Sequence, residues 1–196
     1  VPGVCTACGR RASRLREQGV PAELAFTRRF CMGHRLITGS SEKCAIPHGH
    51  NEYVKVTLRP VEETRLDGHQ NMILPFADAK TRWHDFVDNS LDHALQLSEH
   101  DPLLSWFRDH EPERARRIVV TPGDPTTEVM AALLLAKLTA ILADQGTALR
   151  VHALELEETP TNTVRLTGDP AFYLPKVSRA PQDCWWNRAD MSVSDF

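Results

Sequence analysis

Ile46-Pro47-His48-Gly49-His50-Asn51-Glu52-Tyr53-Val54-Lys55-Val56-Thr57-Leu58 is the stretch on which the fold turns. Val54, Val56 and Leu58 recur at every second position, the period of a half-buried strand. Upstream, from Glu23 to Leu36, the residues Leu24, Phe26, Phe30, Met32 and Leu36 keep the same period. A turn-like run, Thr38-Gly39-Ser40-Ser41, separates the two segments, so they predict an antiparallel hairpin.

Beyond this hairpin the period changes. Trp83, Phe86 and Val87 stand at i, i+3 and i+4, which predicts a helix from about Ala77 to Asn89. A charged, proline-containing segment from Ser98 to Arg117 follows, with a short helix expected around Leu103 to Arg108. The strongest helical signal runs from Pro125 to Gln145 and is ended by Gly146. It is apolar around much of its circumference and should be heavily buried. Leu149 to Glu158 and Thr161 to Thr167 predict a second strand pair. The sum is α+β: an antiparallel four-stranded sheet with two helices inserted between the strand pairs, lying over one face.

Composition narrows the function. At 196 residues the chain is long enough for one domain with a real core. With 23 basic and 26 acidic side chains, the net charge of −3 argues against a global grip on nucleic acid. The longest strictly apolar run, Met130 to Ala136, is too short for a membrane span. The arginine-rich N-terminus, which begins at Val1, does not read as a secretory signal. An odd count of 5 cysteines fits reduced thiols better than a disulfide framework and points to the cytoplasm.

His48-Gly49-His50 carries the chemistry. In a strand, residues i and i+2 share a face with Cα atoms about 6–7 Å apart, so two imidazoles can converge on one metal ion. Gly49 leaves room for close backbone approach on the other side. His34, on the preceding strand, can supply a third ring across the hairpin. Three neutral imidazoles leave one coordination position open, the arrangement of a catalytic zinc. Taken alone, the tripeptide also fits a solvated strand. Cys44, four residues before His48, has three readings: a fourth ligand closing the site, a general base standing off the metal, or a small buried apolar residue.

Several blocks in order carry a resemblance. They are Phe30-Cys31-Met32-Gly33-His34-Arg35-Leu36, Cys44-Ala45-Ile46-Pro47-His48-Gly49-His50-Asn51, Met72 to Lys80, Leu91-Asp92-His93, Pro125-Thr126-Thr127-Glu128 and Glu158-Thr159. Together they resemble the 6-pyruvoyltetrahydropterin synthase and 6-carboxytetrahydropterin synthase family, over about residues 24 to 167. The resemblance implies the tunnelling fold, in which subunits join their sheets into an oligomeric barrel, a trimer or hexamer of identical chains. It implies Zn2+ held by His34, His48 and His50, with Cys44 as catalytic base and Asp92 and His93 as its proton-relay partners. It implies that Glu158 anchors the guanidine-like edge of a pterin, and that Thr126, Thr127 and Glu128 form part of the pterin pocket. The implied substrate is 7,8-dihydroneopterin triphosphate. The spacing from Cys44 to His48 resembles the bacterial carboxy branch, which releases acetaldehyde on the route to 7-deazapurines such as queuosine. The pyruvoyl branch, which keeps the three-carbon side chain, is the alternative, as is a non-catalytic pterin- or zinc-binding homologue.

The chain departs from the family pattern at Met32, where a small residue is usual, at Pro75, where an acidic one is, and in a long Ser98–Gly123 segment. The expected organisation is an N-terminal extension over residues 1–22 with Cys5-x-x-Cys8, the synthase-like domain over 23–167, and a proline- and aromatic-rich C-terminal extension over 168–196. Cys5 and Cys8 form half a zinc motif, which Cys31 or Cys184 would have to complete; in a small zinc-binding interaction module this pair would be the working part. Trp185-Trp186 suits packing of the tail on the body, on a neighbouring subunit, or as a lid. Arg35, Lys43 and Lys80 receive no role.

Overall fold

In the computed structural model, which describes residues 22–39, 41–62 and 65–195, the hairpin is the centre of the sheet. β1 (Leu24–His34) and β2 (His48–Pro60) pair antiparallel along the whole of β1. Leu24, Phe26, Phe30 and Met32 of β1 and Val54, Val56 and Leu58 of β2 point into the core, as their period requires. A four-residue helix, α1 (Glu42–Ala45), sits in the connection. The second strand pair is β5 (Leu149–Thr159) and β6 (Asn162–Thr167), with β5 antiparallel to β2.

The sheet has six strands rather than four. β3 (Ala94–Ser98) pairs parallel with the end of β1, and β4 (Ile118–Thr121) pairs parallel with β3. The order is β4-β3-β1-β2-β5-β6, so the expected all-antiparallel sheet is a mixed one. Both added strands are short and covered on both sides. Val119 enters the main core, whereas Ile118 and Val120 join Leu97 and Leu104 in a second cluster under α3 (Pro102–His110). A strand buried on both faces shows no alternation, so Ile118-Val119-Val120 gave no period to read.

α2 (Phe76–Phe86) and α4 (Thr127–Asp144) cover the inner face. The helix expected up to Asn89 passes at Val87–Leu91 into a single wider π turn, closed by the Asp92 N–H on the Val87 carbonyl at 2.9 Å. α4 ends at Gly146, whose φ of +61° suits the residue that stops a helix. Among the described residues, no helix is long and apolar enough to cross a membrane.

The middle of α4, from Met130 to Leu138, is buried all round because the C-terminal segment covers its outer surface. Trp185 and Trp186 belong to the main core, Trp185 Nε1 donates to the Val120 carbonyl at 2.8 Å, and the Val120 N–H donates to Val193 at 3.0 Å. Lys137 pins this segment from within the helix. Its fully buried ammonium donates to the Trp185 and Ser192 carbonyls and to Asp190 Oδ1 at 3.0–3.1 Å. Burial brings the Lys137 pKa down to about 8, its hydrogen bond to Asp190 acting in the opposite sense. Burial also disfavours the Asp190 carboxylate, but the Ser192 hydroxyl and amide and the Lys137 ammonium outweigh it and hold the group well below its usual range. Lys137→Met fills the volume and removes all three donors. It is expected to lower the unfolding free energy by about 2 kcal/mol, the scale of buried carbonyls left without partners. Urea denaturation checks the value, and faster hydrogen exchange at the Val120 amide would report that the tail has loosened.

Candidate active site

The end of β1 and the start of β2 face each other with histidines. The register sets His34 opposite His48, Gly33 opposite Gly49 and Met32 opposite His50. Facing residues of an antiparallel pair share a face, and His50 returns to it two residues after His48. The ring centroids are 4.5 Å apart for His34–His48 and 5.1 Å for each of the other two pairs. One nitrogen from each ring lies within 4.8 Å of the others. Gly49 makes this possible, since a Cβ there would come 2.7 Å from the Met32 carbonyl oxygen.

Backbone carbonyls select the tautomers. His34 Nδ1 lies 3.0 Å from the Pro125 carbonyl, and His48 Nδ1 lies 2.9 Å from that of Ile46. A carbonyl oxygen only accepts, so each Nδ1 carries the proton and each neutral ring presents a bare lone pair at Nε2. Those two Nε2 atoms stand 3.1 Å apart. Facing lone pairs repel, and a cation between them turns the repulsion into binding. Two nitrogens on one zinc at ~2.0–2.1 Å sit about 3.3 Å apart, so the donor set fits a divalent ion. Burial lowers the His34 pKa, the other two rings add to that, and the Pro125 hydrogen bond and the Glu158 charge oppose it. Low proton affinity keeps the ring available as a ligand.

Cys44 lies in α1, half-buried. Ser41 caps that turn, accepting from the Cys44 N–H, and its hydroxyl donates to Cys44 Sγ at 3.2 Å. The loop leading there is held at several points. The Leu36 N–H donates to the Cys44 carbonyl at 2.8 Å. Asp124, from the β4–α4 connection, accepts from the Ile37 and Thr38 amides at 2.9 and 2.7 Å and from the Thr38 hydroxyl at 2.6 Å. Arg35 forms a two-point ion pair with the buried Asp101, which also caps α3. The inserted helix thereby braces the residue next to His34.

Asp92 and His93 pair with each other, Oδ2 to Nδ1, at 2.8 Å. They are tied to the middle of β1: Asp92 Oδ1 accepts from the Cys31 N–H at 2.8 Å, and the His93 N–H donates to the Cys31 carbonyl at 2.7 Å. The Cys31 hydrogen bond is the main cause holding the Asp92 pKa below its usual value, with the His93 bond assisting and burial opposing. His93 has a φ of +61° and an exposed ring. Cys31 is three residues from His34, roughly 10 Å along the strand at ~3.3 Å per residue. Within one chain the dyad is thus anchored to β1, and the Cys44 loop to Asp124 and Asp101.

Thr126 caps α4 by accepting from the Val129 N–H, and the buried Pro125 before it touches His34, so the start of α4 adjoins the histidines. Thr127 is half-buried and Glu128 exposed. Glu158, half-buried on β5, is close enough for its charge to act on both His34 and Glu52.

Two inner-face residues escaped the sequence reading. Glu52, 1% exposed, follows His50 on the same face, and its Oε2 has no hydrogen-bond partner. Burial, with the Glu158 charge adding, pushes its carboxyl up to about 8. Gln96 of β3, which the parallel register sets beside His34, is wholly buried with neither amide atom partnered. The alternation that placed Val54 and Val56 inside also places Glu52 there, so its signal was present. Gln96 could not be found without β3.

Of the remaining candidates, Cys184 is buried, and Cys31 bonds Asn51 at 3.0 Å with Arg29 alongside. Cys5 and Cys8 lie outside the described residues. Among the described residues the histidine trio is the one group whose ligand atoms converge.

Comparison with known proteins agrees with this architecture. Residues 23–169 match the family model described as 6-pyruvoyl tetrahydropterin synthase. A relative from Halobacterium salinarum, named "Probable 6-carboxy-5,6,7,8-tetrahydropterin synthase", is 31% identical over 137 residues, covering 69% of this chain and 79% of its own. Among solved structures, an uncharacterized protein from Wolinella succinogenes aligns with a TM-score of 0.63 at 23% identity, over 77% of this chain and 100% of that one. The 6-pyruvoyl tetrahydropterin synthase of Caenorhabditis elegans aligns at 0.52 and 22% identity, over 76% and 97%. At these identities the likeness to the solved structures is one of fold. It is the tunnelling fold, here with two strands added beside β1. With the family model spanning both strand pairs, the helices between them and all three histidines, the chain belongs to the 6-pyruvoyl tetrahydropterin synthase family.

Proposed function

We propose that the protein is a zinc-dependent 6-carboxy-5,6,7,8-tetrahydropterin synthase, converting 7,8-dihydroneopterin triphosphate and water into the carboxypterin, acetaldehyde and triphosphate. The observation that carries this reading is the convergence of His34, His48 and His50, with the Nε2 atoms of His34 and His48 facing each other at 3.1 Å. The name of the Halobacterium salinarum relative supports the carboxy branch. His34, His48 and His50 would hold the ion, and no protein anion among them offsets its charge. When bound, the zinc lowers the pKa of the substrate's side-chain hydroxyls and fixes their position.

Cys44 acts as the base that takes a proton from the substrate side chain, and the Ser41 hydroxyl donates to the sulfur as charge develops there. Asp92 orients His93, which returns the proton. The dyad is anchored to Cys31 and not to the Cys44 loop, so the relay closes between neighbouring copies in a homotrimer or hexamer. Glu158 accepts two parallel N–H bonds from the aminopyrimidinone edge. Thr126, Thr127 and Glu128 line the pocket, where the first turn of α4 presents amides with no partner inside the helix. The free thiols of Cys31, Cys44 and Cys184 suit the reducing cytoplasm.

Incubation of zinc-loaded protein with 7,8-dihydroneopterin triphosphate is expected to release acetaldehyde and triphosphate in equal amounts. Triphosphate without acetaldehyde, with the three-carbon side chain retained, would make it the pyruvoyl-forming enzyme. Neither product from zinc-loaded protein would make it a non-catalytic homologue.

A further inference from the structure

We propose that Glu52 is a second substrate-binding carboxyl, placed beside Glu158 to take the polar hydrogens of the heterocycle that Glu158 leaves unpaired. The inference rests on the pterin reading above and adds a contact to it. The β2–β5 register ends with Tyr53 opposite Glu157, which leaves Glu52 and Glu158 as the next residues of the two strands, near enough for the Glu158 charge to act on Glu52. The face that holds Glu52 carries His50 two residues before it. Metal ligands, Glu52 and Glu158 therefore form one continuous polar strip across β1, β2 and β5, bordered by the apolar Phe30 and Val54.

A carboxyl in that position is costly unless something uses it. The other buried acid and the buried base of the described structure are satisfied: Asp101 accepts from Arg35 and Leu103, and Lys137 has three acceptors. Glu52 Oε2 has none. Leucine at this place would pack against Phe30 and Val54 without any desolvation penalty. A buried oxygen that lacks a partner and lies beside a binding carboxylate is suited to a donor that arrives with the ligand. When Glu158 holds the ring N–H and one amino hydrogen of a 2-amino-4-oxopyrimidine, the second amino hydrogen and the ring N–H of a dihydropyrazine remain. Those are the donors left for Glu52. The recognised class is then a reduced pterin, with polar hydrogens on two adjacent edges.

The test uses zinc-loaded full-length protein with 7,8-dihydroneopterin as probe, titrated by calorimetry. Zinc content and melting temperature are measured in parallel. Glu52→Leu is expected to weaken binding about 10- to 100-fold, the effect of stranding donors in a site built to accept them. Zinc should stay at the wild-type level, and the melting temperature should hold or rise because an unpaired buried carboxyl has gone. Glu52→Asp keeps the chemistry but shortens the reach, and should weaken binding about tenfold with the fold intact. In turnover, KM should rise with kcat little changed, the signature of a contact made equally in ground and transition states. Wild-type affinity in both variants overturns the proposal, as does a loss of zinc that accounts for the weaker binding. If the wild-type protein holds zinc yet ignores the probe, the pterin reading itself fails, an outcome distinct from the failure of Glu52 alone.

Discussion

Cys44→Ala is expected to lower turnover of 7,8-dihydroneopterin triphosphate by about a hundred- to ten-thousand-fold, the range supplied by a positioned general base. The reason is local. Cys44 sits in a four-residue helix whose cap, Ser41, holds both its amide and its sulfur, while Asp124 and Asp101 tie down the strand of chain that leads to it. Alanine keeps the turn and removes only the thiol, so zinc content and melting temperature should match the wild type. Cys44→Ser provides a further check, because a hydroxyl fits the space but is a far weaker base near neutral pH. If either variant kept full turnover, Cys44 would be a packing residue, and the base would have to be sought elsewhere on the same face.

The second large effect is on the metal. His48→Ala is expected to reduce zinc affinity by more than about a hundredfold, because losing even an outer-shell partner costs about 10–100-fold. Activity should fall to background with it. His48 is the informative choice of the three. It faces His34 directly, and its removal leaves the His34 nitrogen without the opposing lone pair that makes the site selective for a cation. The apo form of this variant should fold as well as the wild type or better, since a repulsive contact between two ring nitrogens has been removed. Elemental analysis of protein purified without added zinc gives the answer. In the same experiment Cys5→Ser and Cys8→Ser should leave the zinc in place. If they emptied the protein instead, the metal would belong to the N-terminal pair and the trio would lose its role.

Much of the site was readable because it is built on short-range periodicity. His48 and His50 share a face through strand geometry alone, and His34 joins them because the alternation of Leu24, Phe26, Phe30 and Met32 assigns it to the inner side of a hairpin. The same alternation, carried one step further, would have flagged Glu52. What concealed it was its class: acidic residues are read as exposed by default, yet this one lies buried on the inner face. Arg35 was hidden differently. Its basic side chain suggests an anion, yet it is committed to Asp101 on an inserted helix 66 residues away.

Local chemistry therefore determined the strand pair, the long apolar helix with its glycine stop, and the three imidazoles, because each depends on residues that are neighbours along the chain. Tertiary structure decided which strands lie parallel beside β1, how the C-terminal segment closes over α4, and which polar side chains end up enclosed without partners. Those outcomes depend on contacts between distant segments, where burial on both faces erases the alternation that reveals a strand. The charge of a side chain, likewise, does not disclose what will eventually be packed against it.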